Sequence, residues 1–201
     1  FKQKTAYEML RSLVGSEMCI RDRGCWHRFI PGFIHIDLCD MKHIDYKSGI
    51  DDLSMFADNS VSLIYASHNF EYFNREEAIK VLKEWGRVLI PSGILRVAVP
   101  DFDCLIEVYH KSQKIENILG PLYGKMEIQT QNETLTLYHK TVYNFDSLKE
   151  MLTDNGFTNV KKYKWQDTIH KSYDDHSQSY YPHMDKNNGI LISLNVESTK
   201  L

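Results

Sequence analysis

The sequence predicts an α/β domain in which a mostly parallel sheet is covered by helices. From Phe29 onward, short apolar runs alternate with segments of helical periodicity, the pattern of strands joined by crossover helices. Two further observations support this. The chain has 201 residues, 42% of them hydrophobic, enough for one sizeable core. It also shows neither internal repeats nor a low-complexity linker.

Phe33–Asp37 (FIHID) reads as a strand that ends in an acid, and Ser62–Ala66 (SLIYA), after the turn-like 57–60, as a buried strand. Asn74 with Glu77 three residues on forms a capping-box signature. Ala78, Val81, Leu82, Trp85, Val88 and Leu89 then keep helical spacing. Pro91-Ser-Gly93 ends that helix, and Ile94–Val99 is the next strand, closed by Pro100-Asp101. A helix over 103–119 is expected to stop at Gly120-Pro121, and residues 122–142 carry no clear pattern. Asp146 can cap a helix through Leu152 that leaves at Asn155-Gly156, and Val160–Trp165 and Ile190–Val196 read as the last strands.

A net charge of −3 and a pI near 6.3 provide no basic field for nucleic acid, so a small-molecule partner is expected. Cys19, Cys25, Cys39 and Cys104 form no CxxC pair and no disulfide framework, which fits a reducing, cytoplasmic setting. No window reaches the roughly 18 apolar residues of a membrane helix.

Taken in order, Gly24-Cys25-Trp26, 31–37 (PGFIHID), Asp52-Leu53, 56–68 (FADNSVSLIYASH) and 87–101 (RVLIPSGILRVAVPD) resemble a Rossmann-like class I S-adenosylmethionine-dependent methyltransferase. The motifs cover 24–101, and element order carries the likeness to the C-terminus. The resemblance implies a seven-stranded sheet of order 3-2-1-4-5-7-6 with only strand 7 antiparallel, and S-adenosyl-L-methionine over the carboxyl ends of strands 1, 2 and 4. It also implies a methyltransferase domain over 24–201 whose strand 1 is truncated or replaced. Residues 1–23 resemble translated sequencing-adapter read-through and are expected to be non-native. An amphipathic helix built on Tyr7, Leu10, Leu13 and Val14 is the alternative. Glu17–Arg23 is too charged to sit comfortably in a strand buried on both faces.

By the same resemblance, Gly24 and Cys25 are the remnant of the glycine-rich turn, or else an ordinary turn. Asp37 accepts the ribose hydroxyls, or else caps the surface. Asp51 or Asp52 meets the adenine amine with Leu53 against the ring, or the two acids cap a helix. Ser67 and His68 end strand 4 beside the sulfonium, His68 as a hydrogen-bonding wall or as a base. Trp26, Ser62 and Tyr72 depart from residues common in relatives. Gly24 and Asp37 stand 13 positions apart, short of the ~20 of a nicotinamide-dinucleotide fingerprint, and no G-x-G-x-x-G occurs, which disfavours an oxidoreductase.

The connection 166–188 is expected to emerge on the carboxyl face as a substrate lid, carrying His170, Tyr173, Asp174, Asp175, His176, Tyr180, Tyr181, His183 and Asp185. Its spacing fits no closed zinc pattern, so no metal is expected. His139, Lys140 and Tyr143 should line the same rim. Methyl transfer needs chiefly alignment and desolvation. For a hydroxyl acceptor a base helps, and His68, His139, His176 and His183 are the candidates. The function expected is O- or N-methylation of a small molecule or saccharide unit; the alternative is a methyltransferase-fold binding subunit without chemistry.

Overall fold

The computed structural model describes residues 16–20, 29–38, 41–129 and 134–201. Eleven strands occur among them: β1 (Ser16–Ile20), β2 (Phe33–Asp37), β3 (Tyr46–Lys47), β4 (Val61–Ser67), β5 (Leu89–Pro100), β6 (Met126–Gln129), β7 (Thr134–Leu137), β8 (Phe157–Lys162), β9 (Tyr180–Tyr181), β10 (Ile190–Leu191) and β11 (Ser193–Lys200). The described helices are α1 (Arg75–Val88), α2 (Phe102–Ser112), α3 (Glu116–Tyr123) and α4 (Phe145–Asp154), with short 3-10 turns at Phe70–Tyr72, Trp165–Asp167 and His176–Gln178.

Seven strands form one sheet in the order β3-β2-β1-β4-β5-β11-β8. β1 lies parallel to β2 and β4, β4 parallel to β5, and β11 runs antiparallel to both β5 and β8. The charged stretch after Ser16 was expected to avoid such a position, yet the backbone of Ser16–Ile20 occupies the centre of the sheet. Main-chain demand accounts for this. β2 and β4 each turn a ladder edge toward the gap, and a strand between them pairs both. Most of the N-terminal segment set apart in the sequence lies outside the described residues.

Alternation along β4 sends Ile64 and Ala66 into the main core and Leu63 and Tyr65 to the opposite face. The main core is built by α1 and α4. In α1, Ala78, Val81, Leu82, Trp85 and Val88 are all buried, and Asn74 and Glu77 close the capping box that the spacing predicts. Trp85 is fully buried and its indole N–H donates to the Ile50 carbonyl at 2.9 Å. Arg87, at the end of α1, pairs with Glu84 and donates to the carbonyls of Leu53 and Phe56, pinning the 50s loop beneath the helix.

Several boundaries differ from expectation. α1 passes directly into β5, and 91–93 forms a bulge instead of a loop, with Val61 opposite Leu89 but Leu63 opposite Ile94. The helix expected over 103–119 breaks at Gln113, which takes a left-handed conformation (φ 54°), and its second half runs through Pro121 to Tyr123. Asn144, not Asp146, caps α4, because its side chain accepts from Ser147 N while the Ser147 hydroxyl answers to Asn144. The last strands shift to Phe157–Lys162 and Ser193–Lys200, and 122–142 holds the β6–β7 hairpin.

The second face of the sheet is covered in a different way. Ile30, Phe33, Leu63 and Tyr65 pack there with Ile94 and Tyr173, the last supplied by the connection between β8 and β11. That connection buries His170, Asp175, Ser177 and Gln178. Asp175 accepts from the Tyr65 hydroxyl at 2.6 Å, and the His170 ring stacks on Tyr65 at 3.9 Å. No helix among the described residues is long and apolar enough to cross a membrane.

Replacing Trp85 by alanine removes the largest fully buried side chain and its hydrogen bond. We expect a loss of about 3–5 kcal/mol in urea unfolding.

Candidate active site

Parallel strands bring their carboxyl ends to one edge. Ile20 stands level with both Ile36 and Ala66, so Asp37 and Ser67 are the next residues on either side of β1, and alternation puts both on the same face. Two strand spacings separate them by roughly 10 Å. Asp37 is buried, at 1% exposure. The Ser67 hydroxyl is buried and makes no hydrogen bond among the described residues. A carboxylate that accepts hydroxyl protons and an unsatisfied hydroxyl on one strand edge suit a ribose-bearing, polar ligand. Gly24, Cys25 and Trp26 lie outside the described residues.

The other residues expected near the cofactor are divided. Asp51 and Asp52 are exposed. Hydrogen bonds from the Ser54 side chain and from Ser54 N lower the Asp52 pKa, and Leu53 is fully buried in the main core, its N–H bonded to Glu84. Leu53 therefore serves the packing of the 50s loop against α1.

Beyond β4 the chain turns sharply. His68 has φ 53°, its N–H donates to the Ala98 carbonyl at 2.8 Å, and the 3-10 turn Phe70–Tyr72 follows. The turn faces a cavity of about 310 Å³. It is lined by His68 and Tyr72 from the turn, Pro100 and Ile192 beside the β5–β11 pair, Gly120, Pro121 and Gly124–Met126 from α3 to β6, and His139, His176, Ser179, Tyr180 and His183. The four histidines singled out as base candidates thus come from three separate stretches to one cavity. His176, Ser179, Tyr180 and His183 are the part of the 166–188 connection that reaches it; the part around His170, Tyr173 and Asp175 belongs to the second core. Lys140 instead pairs with Glu77, and Tyr143 is buried against Phe70 beneath Arg75.

Two features of the wall were not singled out in the sequence. Glu71 is 1% exposed, its carboxylate 3.5 Å from His68 Nδ1 and 3.6 Å from His139 Nε2. Only its position three residues after His68 hints at this, and His139 is remote in sequence. Ser193 and Asn195 are the second feature. The Asn195 amide donates to the Ser177 carbonyl, the Ser193 hydroxyl donates to Asn195 Oδ1, and Ser193 Oγ lies 2.9 Å from His68 Nε2. Tyr72 packs edge-on against His139 at 4.6 Å and donates to the Gly124 carbonyl. Among the described residues no cluster of His, Cys, Asp or Glu could hold a metal ion.

Burial, together with the positive charge that His176 and His139 can carry, holds the His68 pKa well below the ordinary histidine value of 6.5.

Residues 35–97, 63 of the 201, match the family described as "Methyltransferase domain". No curated protein matches the chain. Among solved structures, a SAM-dependent methyltransferase of Thermotoga maritima, a possible histamine N-methyltransferase, is similar over 95% of this chain and 86% of its own, with TM-score 0.58 and 14% identity. One from Archaeoglobus fulgidus has TM-score 0.52 at 17% identity, covering 96% and 90% of the two chains. One from Methanosarcina mazei has TM-score 0.52 at 15% identity, covering 97% and 98%. At these identities the likeness shows the fold, that of the Rossmann-like class I methyltransferases. The family match covers 35–97, and over the rest of the chain the likeness is one of fold.

Two outcomes follow from the geometry. A Cβ at Gly124 (φ 51°) would run into the His139 ring, so Gly124→Ala should cost about 1–3 kcal/mol in denaturant unfolding and displace the His139 ring resonances. Because the His68 pKa is depressed on folding, the unfolded chain binds more protons below pH 6.5, so this histidine's contribution is full above that pH and lost as the pH falls below it. Asparagine tolerates the positive φ of residue 68, so His68→Asn should flatten the stability-versus-pH slope just below pH 6.5 relative to wild type.

Proposed function

We propose that this chain is a cytoplasmic S-adenosylmethionine-dependent methyltransferase whose acceptor is a small molecule or a saccharide unit. One observation carries the acceptor reading: His68, His139, His176 and His183 converge on a half-open cavity of about 310 Å³ just beyond the carboxyl end of β4. This volume lies in the range of small-molecule sites, and the formal charge of −3 gives no field for a polynucleotide.

Asp37 accepts the ribose hydroxyls and Ser67 offers its unsatisfied hydroxyl on the same strand edge. When bound, S-adenosylmethionine supplies a methyl group already activated on a sulfonium. The chain's own task is then alignment and exclusion of water. Pro100, Pro121 and Ile192 give the acceptor cavity apolar surfaces, and the histidines with Tyr72 and Tyr180 give it polar edges that orient hydroxyl or amine groups.

Calorimetry with S-adenosylhomocysteine tests the cofactor half. Asp37→Asn should weaken binding about ten- to hundredfold, the worth of hydrogen bonds to a charged partner, and a wild-type chain that does not bind would remove the reading. Transfer of label from radioactive S-adenosylmethionine into a metabolite or saccharide extract tests the acceptor half. Labelling of protein or RNA alone would overturn it.

A further inference from the structure

We propose that Glu71 is a positioning residue that makes His139 the proton acceptor for an alcohol or phenol bound in the cavity, with His68 fixed beside it as a hydrogen-bonded wall; this rests on the methyltransferase reading above.

A carboxylate at 1% exposure is stable only beside groups that donate protons or carry positive charge; His68 Nδ1 and His139 Nε2 stand 3.5 and 3.6 Å from Oε1, and of these two it is His139 that is left to donate. The two histidines are not equivalent. The Ser177 carbonyl orients the Asn195 amide, so Oδ1 faces Ser193 and takes the hydroxyl proton. Ser193 Oγ is thereby left to accept, and the proton of His68 sits on Nε2, 2.9 Å away. With that nitrogen committed, and with burial and the charges of His176 and His139 opposing a second proton, His68 stays neutral near pH 7.

His139 has its Nε2 toward the carboxylate and its ring gripped between the edge of Tyr72 and the bare Cα of Gly124. Its main chain is tied down as well, its N–H bonded to the Tyr123 carbonyl. An imidazole oriented by a buried carboxylate is the arrangement that stabilises an imidazolium formed during reaction. An alcohol or phenol needs such a group. As the new O–CH3 bond forms, the acceptor O–H bond breaks and its proton passes to His139. The S–CH3 bond breaks with its electron pair left on sulfur, so one positive charge leaves the sulfonium and one appears on the imidazole facing Glu71. A nucleophile without a proton to lose has no use for this pair.

Other titratable or charged groups face the trio. His176 lies 5.4 Å from the His68 ring, Tyr143 feels the Glu71 charge with Arg75 over its ring, and His183 and Lys125 line the same cavity. Substitution at residue 71 leaves these side chains in place, and Glu71→Gln removes the charge that Tyr143 feels. The main chain there is held independently, the Glu71 carbonyl accepting from Lys140 N at 2.9 Å and Thr141 N at 3.3 Å, so the variants should fold.

The test is ring titration of the histidines by NMR on the full chain without ligand, for wild type, Glu71→Gln and Glu71→Asp, with melting temperatures recorded alongside. We expect Glu71→Gln to lower the proton affinity of His139 about ten- to hundredfold, and Glu71→Asp, which keeps the charge, to stay near wild type. The acid limb of label transfer into the hydroxyl-bearing fraction of the extract should move to lower pH in step, with S-adenosylhomocysteine binding unchanged. A His139 titration indifferent to Glu71→Gln, or an unaltered pH profile of transfer in that variant, overturns the proposal. Failure of wild type to bind S-adenosylhomocysteine would instead remove the methyltransferase reading and leave the Glu71–His139 pairing to be judged by the titration alone.

Discussion

The carbonyl of Glu71 accepts two successive amides, Lys140 N and Thr141 N, and most of the site hangs on that pair of bonds. They join the turn after β4 to a segment some seventy residues on, and the parallel bridge between Asp101 and Tyr143 continues the same seam toward β5. The seam brings His139 toward His68, and the Tyr72 hydroxyl, donating to the Gly124 carbonyl, ties the facing segment a second time. Local sequence supplies the ingredients: a histidine that tolerates positive φ, a 3-10 turn, and Asn144 capping α4 immediately after the seam. The tertiary bonds convert these into a site.

The sheet sets the site's other coordinate. Parallel pairing of β2, β1, β4 and β5 brings Asp37, Ser67 and Pro100 to a common edge, and the antiparallel β11 starts where those strands end, so that Ser193 opposes Pro100. Pro100 and Ile192 line the histidine cavity for this reason. The Asp37–Ser67 edge and the histidine cavity are therefore adjacent by topology, and the electrostatic detail is added by side chains whose burial forces them to find partners.

Much of this was legible in the sequence. The 3.6-residue period and capping box of α1, the apolar runs of β2, β4 and β5, and the acid at residue 37 are local signals, and they survive folding with shifts of a few residues. Histidines 68, 139, 176 and 183 could be named as a set because their residue type is chemically conspicuous. What was not legible is long-range. Glu71 reads as an ordinary acid in a turn until His139 is brought to it, and Ser193 and Asn195 read as strand residues until Ser177 orients the amide. Nor do Pro91 and Gly93 announce that they will be absorbed into a bulge. The occupancy of the central strand by Ser16–Ile20 is decided by the pairing needs of its neighbours.

The connection from β8 to β11 has a double allegiance. Its first half supplies His170 and Tyr173 to the second core and ends at Asp175, bonded to Tyr65; its second half supplies Ser179, Tyr180 and His183 to the cavity. A loop anchored in this way cannot swing as one flap, nor can it be grafted whole onto a cousin as a specificity cassette, since the graft would take a portion of the host's interior with it. Variation has room chiefly at exposed positions of its second half such as His183, since Tyr181 nearby packs against Leu105, Val108 and Ile118.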